Sequence, residues 1–355
     1  MGNAEGLGGA QTAFRKLVDF LTKEGHEVGA IAIADSNEGP ETHLPLLFNK
    51  RVPHSKSLFT KPIALWSAAK AAQRSVPKVF IAVGPAKSAS LISKSLPRST
   101  YKVCQDFIYG RNAADPLLRD SIEAFDAIAV QAPSMLAPLG QLNLGAIKLN
   151  WLPCFAEAPA PGFRKTRNGD QSHLRLAYFG RLAGNKGFDL LLPAFAEASF
   201  PLKVELDIWG TGPEQERLIH LIHSLGIESR VKLRGRYPDG EEGARLMCGY
   251  DALVLTSTGL EGLPLILLES MAYGIPFLAT RVGAIPDCCV ENPDVLIVEP
   301  DQENVRMGLQ EFARRVGTGS FNSARLQQYY QAHFSIETMG ARWRQFLDSP
   351  QDFFV

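Results

Sequence analysis

Short apolar runs, most of them too brief for a helix, recur along this chain with amphipathic segments between them. Residues 27–34 (EVGAIAIA), 78–83 (KVFIAV), 127–130 (AIAV), 174–179 (LRLAYF), 204–209 (VELDIW), 251–255 (DALVL) and 275–280 (IPFLAT) are of this kind. Runs with little polar alternation belong to strands buried on both faces. Buried strands separated by helical crossovers form parallel sheets, so the pattern predicts an α/β fold. At 355 residues the chain exceeds the usual single core and argues for two domains. Residues 156–172 are rich in Pro, Gly, Lys and Arg and have no period. We read them as a linker between a first domain, 1–155, and a second, 173–334. Beyond it, residues 335–355 begin with a cap at Ser335 and continue as an amphipathic helix.

Composition narrows the function classes. Lys plus Arg equals Asp plus Glu at 37 each, so no basic field points to nucleic acid. The first 152 residues carry 17 basic and 12 acidic side chains. That excess suits an anionic partner or a peripheral membrane contact, and ordinary scatter explains it as well. Five cysteines, at 104, 154, 248, 288 and 289, form neither a C-x-x-C pair nor a Cys/His metal spacing, which points to a reducing compartment. No signal-peptide pattern and no 18-residue apolar run is present, so the expectation is a cytoplasmic protein.

In open parallel sheets ligands bind beyond the carboxyl ends of the strands, and four loops merit attention there. Gly6, Gly8 and Gly9 precede a helical pattern in which Phe14, Leu17, Val18 and Leu21 recur at i, i+3, i+4 and i+7, with Gly25 as its stop. Paired glycines before a helix let backbone approach an anion; a flexible terminus is the plain alternative. Such a loop should follow a strand, yet only five residues, MGNAE, precede Gly6, and they contain no apolar run. The first domain is therefore expected to lack its usual first strand. After the strand at 174–179 come Gly180, Arg181, Lys186 and Gly187, then a helix from Asp189. Two cations at a helix N-terminus suit a diphosphate; solvated surface charges are the alternative. After the strand at 204–209, Gly210 and Gly212 form only a weak dinucleotide signal, and Pro213 explains much of that stretch structurally. After the strand at 251–255, Glu261 ends a loop, Pro264 suits a first helical turn, and Glu269 lies in a helix that is apolar nearly all round. A carboxylate there needs donors, which sugar hydroxyls or a salt bridge to Arg281 would supply.

These four loops in this order resemble the retaining glycosyltransferases of family four. The match covers most of the chain and is strongest over residues 174–287. The family's glycine-rich loop is similar to Gly8-Gly9, and its G-R-x-x-x-x-K-G to Gly180 through Gly187. Its G-x-G-P is similar to Gly210 through Pro213, and its E-x7-E signature to Glu261 through Pro276. The resemblance implies two Rossmann-like domains facing across a cleft, the arrangement called GT-B, with the C-terminal helix, 335–355, packing back on the first domain.

It implies roles as well. Arg181 and Lys186 would neutralise the donor diphosphate in place of a metal, and Glu261 would hold the donor sugar. Gly180 and Gly210 would shape the donor site, and Gly9 would approach the phosphate. Around Gly262, Leu263 and Pro264 the N–H groups would hold sugar or phosphate, with Pro264 itself having none to give. Glu269 would accept from the ribose. No metal and no cofactor are expected, because the nucleotide sugar, by family frequency a UDP-sugar, is a substrate. The acceptor, whether a sugar, a lipid-linked group or a small molecule, is not named by the sequence. Where many members have a histidine on the acceptor side, this chain has Gln105 and Asp106, and Gln105 cannot shuttle a proton. Two competing readings are a sugar-nucleotide 2-epimerase on the same fold and a non-catalytic nucleotide-sugar-binding chain.

Overall fold

The computed structural model describes residues 9–33, 46–52, 60–84, 86–106, 116–142, 144–156, 173–259 and 261–354. The chain divides into two compact units, one of residues 1–155 with 339–355 and one of residues 156–338. Of the linker read above, 156–172, only Ala156 is described; residues 157–172 lie outside the described residues, as does Gly8.

In the first unit the order is α1 (Gly9–Lys23), β1 (Gly29–Ile33), β2 (Phe48–Val52), α2 (Thr60–Ser75), β3 (Val79–Val83), α3 (Lys87–Ser95), β4 (Tyr101–Asp106), α4 (Pro116–Ala124), β5 (Ala127–Val130), α5 (Leu136–Gly140) and β6 (Lys148–Trp151). Helix α1 forms for the reason its period suggests: Leu17, Val18 and Leu21 are buried on one stripe. It stops at Gly25, whose φ of 85° is left-handed, and the next N–H, of His26, donates back to the Leu21 carbonyl at 3.1 Å. All strand pairs are parallel, but among the described residues they form two separate sheets, β1-β2 and β3-β4-β5-β6.

In the second unit the order is β7 (His173–Phe179), α6 (Phe188–Glu197), β8 (Lys203–Trp209), α7 (Gln215–Ser224), β9 (Val231–Gly235), α8 (Gly240–Cys248), β10 (Ala252–Leu255), α9 (Leu265–Ala272), β11 (Phe277–Thr280), β12 (Leu296–Val298), α10 (Gln302–Gly317) and α11 (Ser323–His333). Its six strands are all parallel in the order β12-β11-β10-β7-β8-β9, the doubly wound order in which the sheet grows outward from a central pair. The central strands β10 and β11 are buried at every position, whereas the edge strand β9 alternates. One polar position in β8 is balanced locally. Asp207 accepts from Arg234 Nε at 2.8 Å and from the Tyr250 hydroxyl at 2.8 Å, so its burial leaves no unpaired charge.

The chain passes from the second unit to the first within α12 (Ile336–Asp348), followed by α13 (Pro350–Phe353). Ser335 Oγ accepts from the Thr338 N–H at 3.3 Å and caps the helix. Within the first unit, Trp343 is fully buried and donates from its indole to the Pro153 carbonyl at 2.8 Å. Arg342 donates to the Trp151 carbonyl at 2.7 Å and stacks over that ring, 3.9 Å from its centroid. No helix among the described residues is long and apolar enough to cross a membrane.

Because Trp343 combines a buried ring with a hydrogen bond at the end of β6, Trp343→Ala is expected to cost about 3–5 kcal/mol. Urea denaturation followed by far-UV circular dichroism will show the midpoint fall; an unchanged midpoint would mean α12 is not part of the core of this unit.

Candidate functional site

In the second unit the winding reverses between β7 and β10, which are neighbours in the sheet. The connections leaving their carboxyl ends diverge, and this is where open parallel sheets place ligands. The loop after β7 is stitched to the loop after β8. Gly180 N–H donates to the Trp209 carbonyl and Leu182 N–H to the Thr211 carbonyl, both at 3.0 Å, and the Leu182 carbonyl accepts from Glu214 N–H at 3.2 Å. A Cβ at Gly210 would collide with the Gly180 carbonyl, so the approach requires glycine.

The loop after β10 closes on the loop after β7 from the other side. Thr258 N–H donates to the Asn185 carbonyl at 2.9 Å, and the Thr256 hydroxyl reaches the Gly187 carbonyl at 3.3 Å. These bonds bring the key side chains together. Lys186 Nζ is paired with Glu261 Oε1, and the same oxygen accepts from Ser257 Oγ at 2.6 Å. Glu261 is 8% exposed and the Lys186 side chain 20%. In that environment a lone charge is costly, so the pair and the serine hold each other in place. An ammonium has three donors and this contact uses one, which leaves two for an anionic ligand.

Glu269 lies one turn into α9 and is half-buried. Burial first, and the Glu269 carboxylate second, raise the phenols of Tyr237 and Tyr330 well above their ordinary range, which places that charge near both rings. Arg281, the alternative partner for Glu269, pairs with Glu299 at 2.8 Å. Arg181 is exposed, and its carbonyl accepts from the Tyr178 hydroxyl at 3.0 Å. Gly262 is half-buried and Leu263 buried. Pro264 stands at the N-cap with φ −72° and ψ 113° rather than inside the first turn, because its extended ψ holds it outside the helix.

The remaining candidates are in the first unit. Gly9 is the first residue of α1. Gln105 is 1% exposed and donates from Nε2 to the Leu152 carbonyl at 2.8 Å. That bond ties β4 to the end of β6 and gives Gln105 an internal, positional task. Asp106 ends β4, and its side chain is outside the described residues. Ser257 and Tyr237 were not found from sequence. Ser257 could have been, as a hydroxyl two residues beyond a buried strand and four before an acid; Tyr237 carries no such local signal.

Gly187 has φ 69°, and a Cβ there would meet the Thr256 carbonyl. Gly187→Ala is therefore expected to destabilise the protein by about 1–3 kcal/mol. A thermal melt will show a lower midpoint, and an unchanged melt would refute the close packing of these two loops.

Residues 173–314 match the family model described as glycosyl transferases group 1. A 97-residue stretch is 36% identical to N-acetyl-alpha-D-glucosaminyl L-malate synthase of Bacillus anthracis, covering 27% of this chain and 24% of that protein. A 160-residue stretch is 29% identical to granule-bound starch synthase 1 of Triticum aestivum, covering 41% of this chain and 25% of that one. The matches thus span no more than 25% of either relative's own length. Among solved structures, Anabaena HepE in complex with UDP superposes with a TM-score of 0.74 at 16% identity, over 98% of both chains. Sucrose-phosphate synthase from Thermosynechococcus elongatus does so with a TM-score of 0.77 at 19% identity, over 98% of this chain and 95% of that one. In sequence the second unit is similar to the group 1 glycosyltransferases, and in structure the chain has the GT-B fold of two Rossmann-like domains.

Proposed function

We propose that this protein is a retaining, metal-independent glycosyltransferase of family four that takes its sugar from a UDP-sugar. The observation that carries the reading is the Lys186–Glu261 pair at the reversal point of the second sheet, inside the segment that matches the group 1 model. The E-x7-E spacing from Glu261 to Glu269 and the UDP held by a structural neighbour support it further.

In this reading Arg181 and Lys186 meet the diphosphate. The bond from the anomeric carbon to the phosphate oxygen breaks, and negative charge grows on the leaving diphosphate. A guanidinium and an ammonium at the diphosphate stabilise that charge more in the transition state than in the bound donor. Glu261, held by Lys186 and Ser257, accepts from sugar hydroxyls, with the Gly262 and Leu263 N–H groups nearby as donors. Glu269 accepts from the ribose. The acceptor hydroxyl bonds to the anomeric carbon from the face the diphosphate leaves and passes its proton to that departing diphosphate, so the configuration is retained. The acceptor is a sugar, a lipid-linked group or a small molecule.

Losing one such cation typically costs about 100- to 1,000-fold in turnover. Arg181→Ala and Lys186→Ala should each show a drop of that order in UDP-sugar transfer or hydrolysis. Glu269→Ala should act on donor binding: a charged hydrogen bond is worth about 1.5–3 kcal/mol, or roughly 10- to 150-fold in Kd for UDP by calorimetry. Wild-type protein that binds neither UDP nor a UDP-sugar would overturn the reading. Epimerised donor as the sole product, with acceptors supplied, would replace transfer by epimerisation.

A further inference from the structure

Acidic residues vanish from one long stretch of the first unit. Between Glu41 and Asp106 the sequence has eleven Lys or Arg and no Asp or Glu, although the whole chain carries 37 of each sign. Helices α2 and α3 belong to that stretch and lie side by side. Ala68 and Ala72 of α2 share a buried cluster with Ile92 and Leu96 of α3. Gln73 Nε2 of α2 donates to the Ser95 carbonyl at the end of α3 at 2.7 Å. With those sides turned inward and toward each other, each helix keeps one stripe toward solvent.

On α2 the exposed stripe is Ile63, Trp66, Lys70 and Arg74, spaced by three, four and four residues. On α3 it is Lys87, Leu91 and Lys94, spaced by four and three. Ile63 is 68% exposed, Trp66 64% and Leu91 56%. Single apolar residues on a surface are ordinary. Three large ones on two adjacent stripes, interleaved with four cations, form a patch with a character of its own. Neither helix carries an acid, and neither do β1, β2 and β3. The sign changes only at α4, which holds Asp120 and Glu123. There Lys94 pairs with Glu123 at 3.2 Å, and both side chains remain about half exposed. A pair so open to water is weak and does not withhold Lys94 from a stronger anionic surface.

This mixture selects its partner. A nucleic-acid backbone would match the cations but would give Ile63 and Leu91 nothing to be buried in. A protein partner presents both signs, and a complementary face would hold acids as well as bases. The surface of a bilayer containing anionic lipid is negative throughout and has an apolar layer just beneath. Lys and Arg meet its phosphates, an indole settles at the level of the headgroups, and aliphatic side chains pass below them. We propose that the exposed face of α2 and α3 docks the first unit on an anionic membrane surface. Trp66 sits at the headgroup boundary, Ile63 and Leu91 reach beneath it, and Lys70, Arg74 and Lys87 lie against lipid phosphates. The proposal concerns the first unit only and does not depend on the donor reading.

The test sediments the full chain with vesicles of equal parts phosphatidylcholine and phosphatidylglycerol, and with vesicles of phosphatidylcholine alone. Partition should strongly favour the first. It should fall steeply with salt, as the Debye length shrinks from about 10 Å at 0.1 M to about 3 Å at 1 M. Lys70→Gln combined with Arg74→Gln should weaken it by about 25-fold, at about fivefold per basic residue. Trp66→Ala should weaken it by about tenfold or more. Ile219→Ala, at a residue of the second unit that is 53% exposed, should leave it unchanged. Circular dichroism checks that each variant is folded. If one is not, the salt titration of the unaltered chain and quenching of its tryptophan emission by brominated lipid still decide. No partition onto the anionic vesicles, equal partition onto both kinds, or an equal loss with Ile219→Ala and Trp66→Ala would overturn the proposal. So would binding to duplex DNA or RNA, or self-association through Trp66, without binding to vesicles.

Discussion

Everything at the candidate site depends on one constraint, the reversal of winding between β7 and β10. Parallel strands must be joined by crossovers, and the crossovers from these two neighbours leave in opposite directions. Their loops are therefore the pair that a helix does not separate. Backbone bonds between them, Thr258 to Asn185 above all, align the chain so that Lys186 and Glu261 meet. Glycines at 187 and 210 are needed because backbone passes backbone there with no room for a side chain. The apolar run from Leu263 to Leu268 is the wall behind the site: Leu265, Leu267 and Leu268 are buried. It forces the two acids that flank it toward polar partners.

The sheets of the second unit were legible where strands are buried on both faces. β7, β8, β10 and β11 stand within two residues of the runs seen in the sequence, because desolvation on both sides permits little but apolar residues. The edge strands β9 and β12 are short or alternate with charge, and no comparable run marks them. β2 is harder still: its sequence, FNKRV, carries Asn49, Lys50 and Arg51 and becomes a strand through pairing with β1. Tertiary pairing overrides weak local preference at such edges. Gln105, an acceptor-side candidate through the resemblance, donates from its amide to the Leu152 carbonyl, a bond between residues far apart in sequence that no local pattern announces.

Among the described residues, the strands of the first unit form two sheets rather than one. Helices α1 and α2 both contribute residues to the lining of a cavity beside β1 and β3.

By itself the sequence determined the α/β class, the positions of the buried strands, and the spacing of Glu261 and Glu269 about an apolar run. These are local consequences of hydrophobic period and of glycine and proline geometry. Only the tertiary structure decided which loops become neighbours, because sheet order is set by crossover handedness and packing between segments far apart in the chain. It paired Lys186 with Glu261, recruited Ser257 to the same carboxylate, turned Arg281 to Glu299, and, among the described residues, divided the strands of the first unit between two sheets.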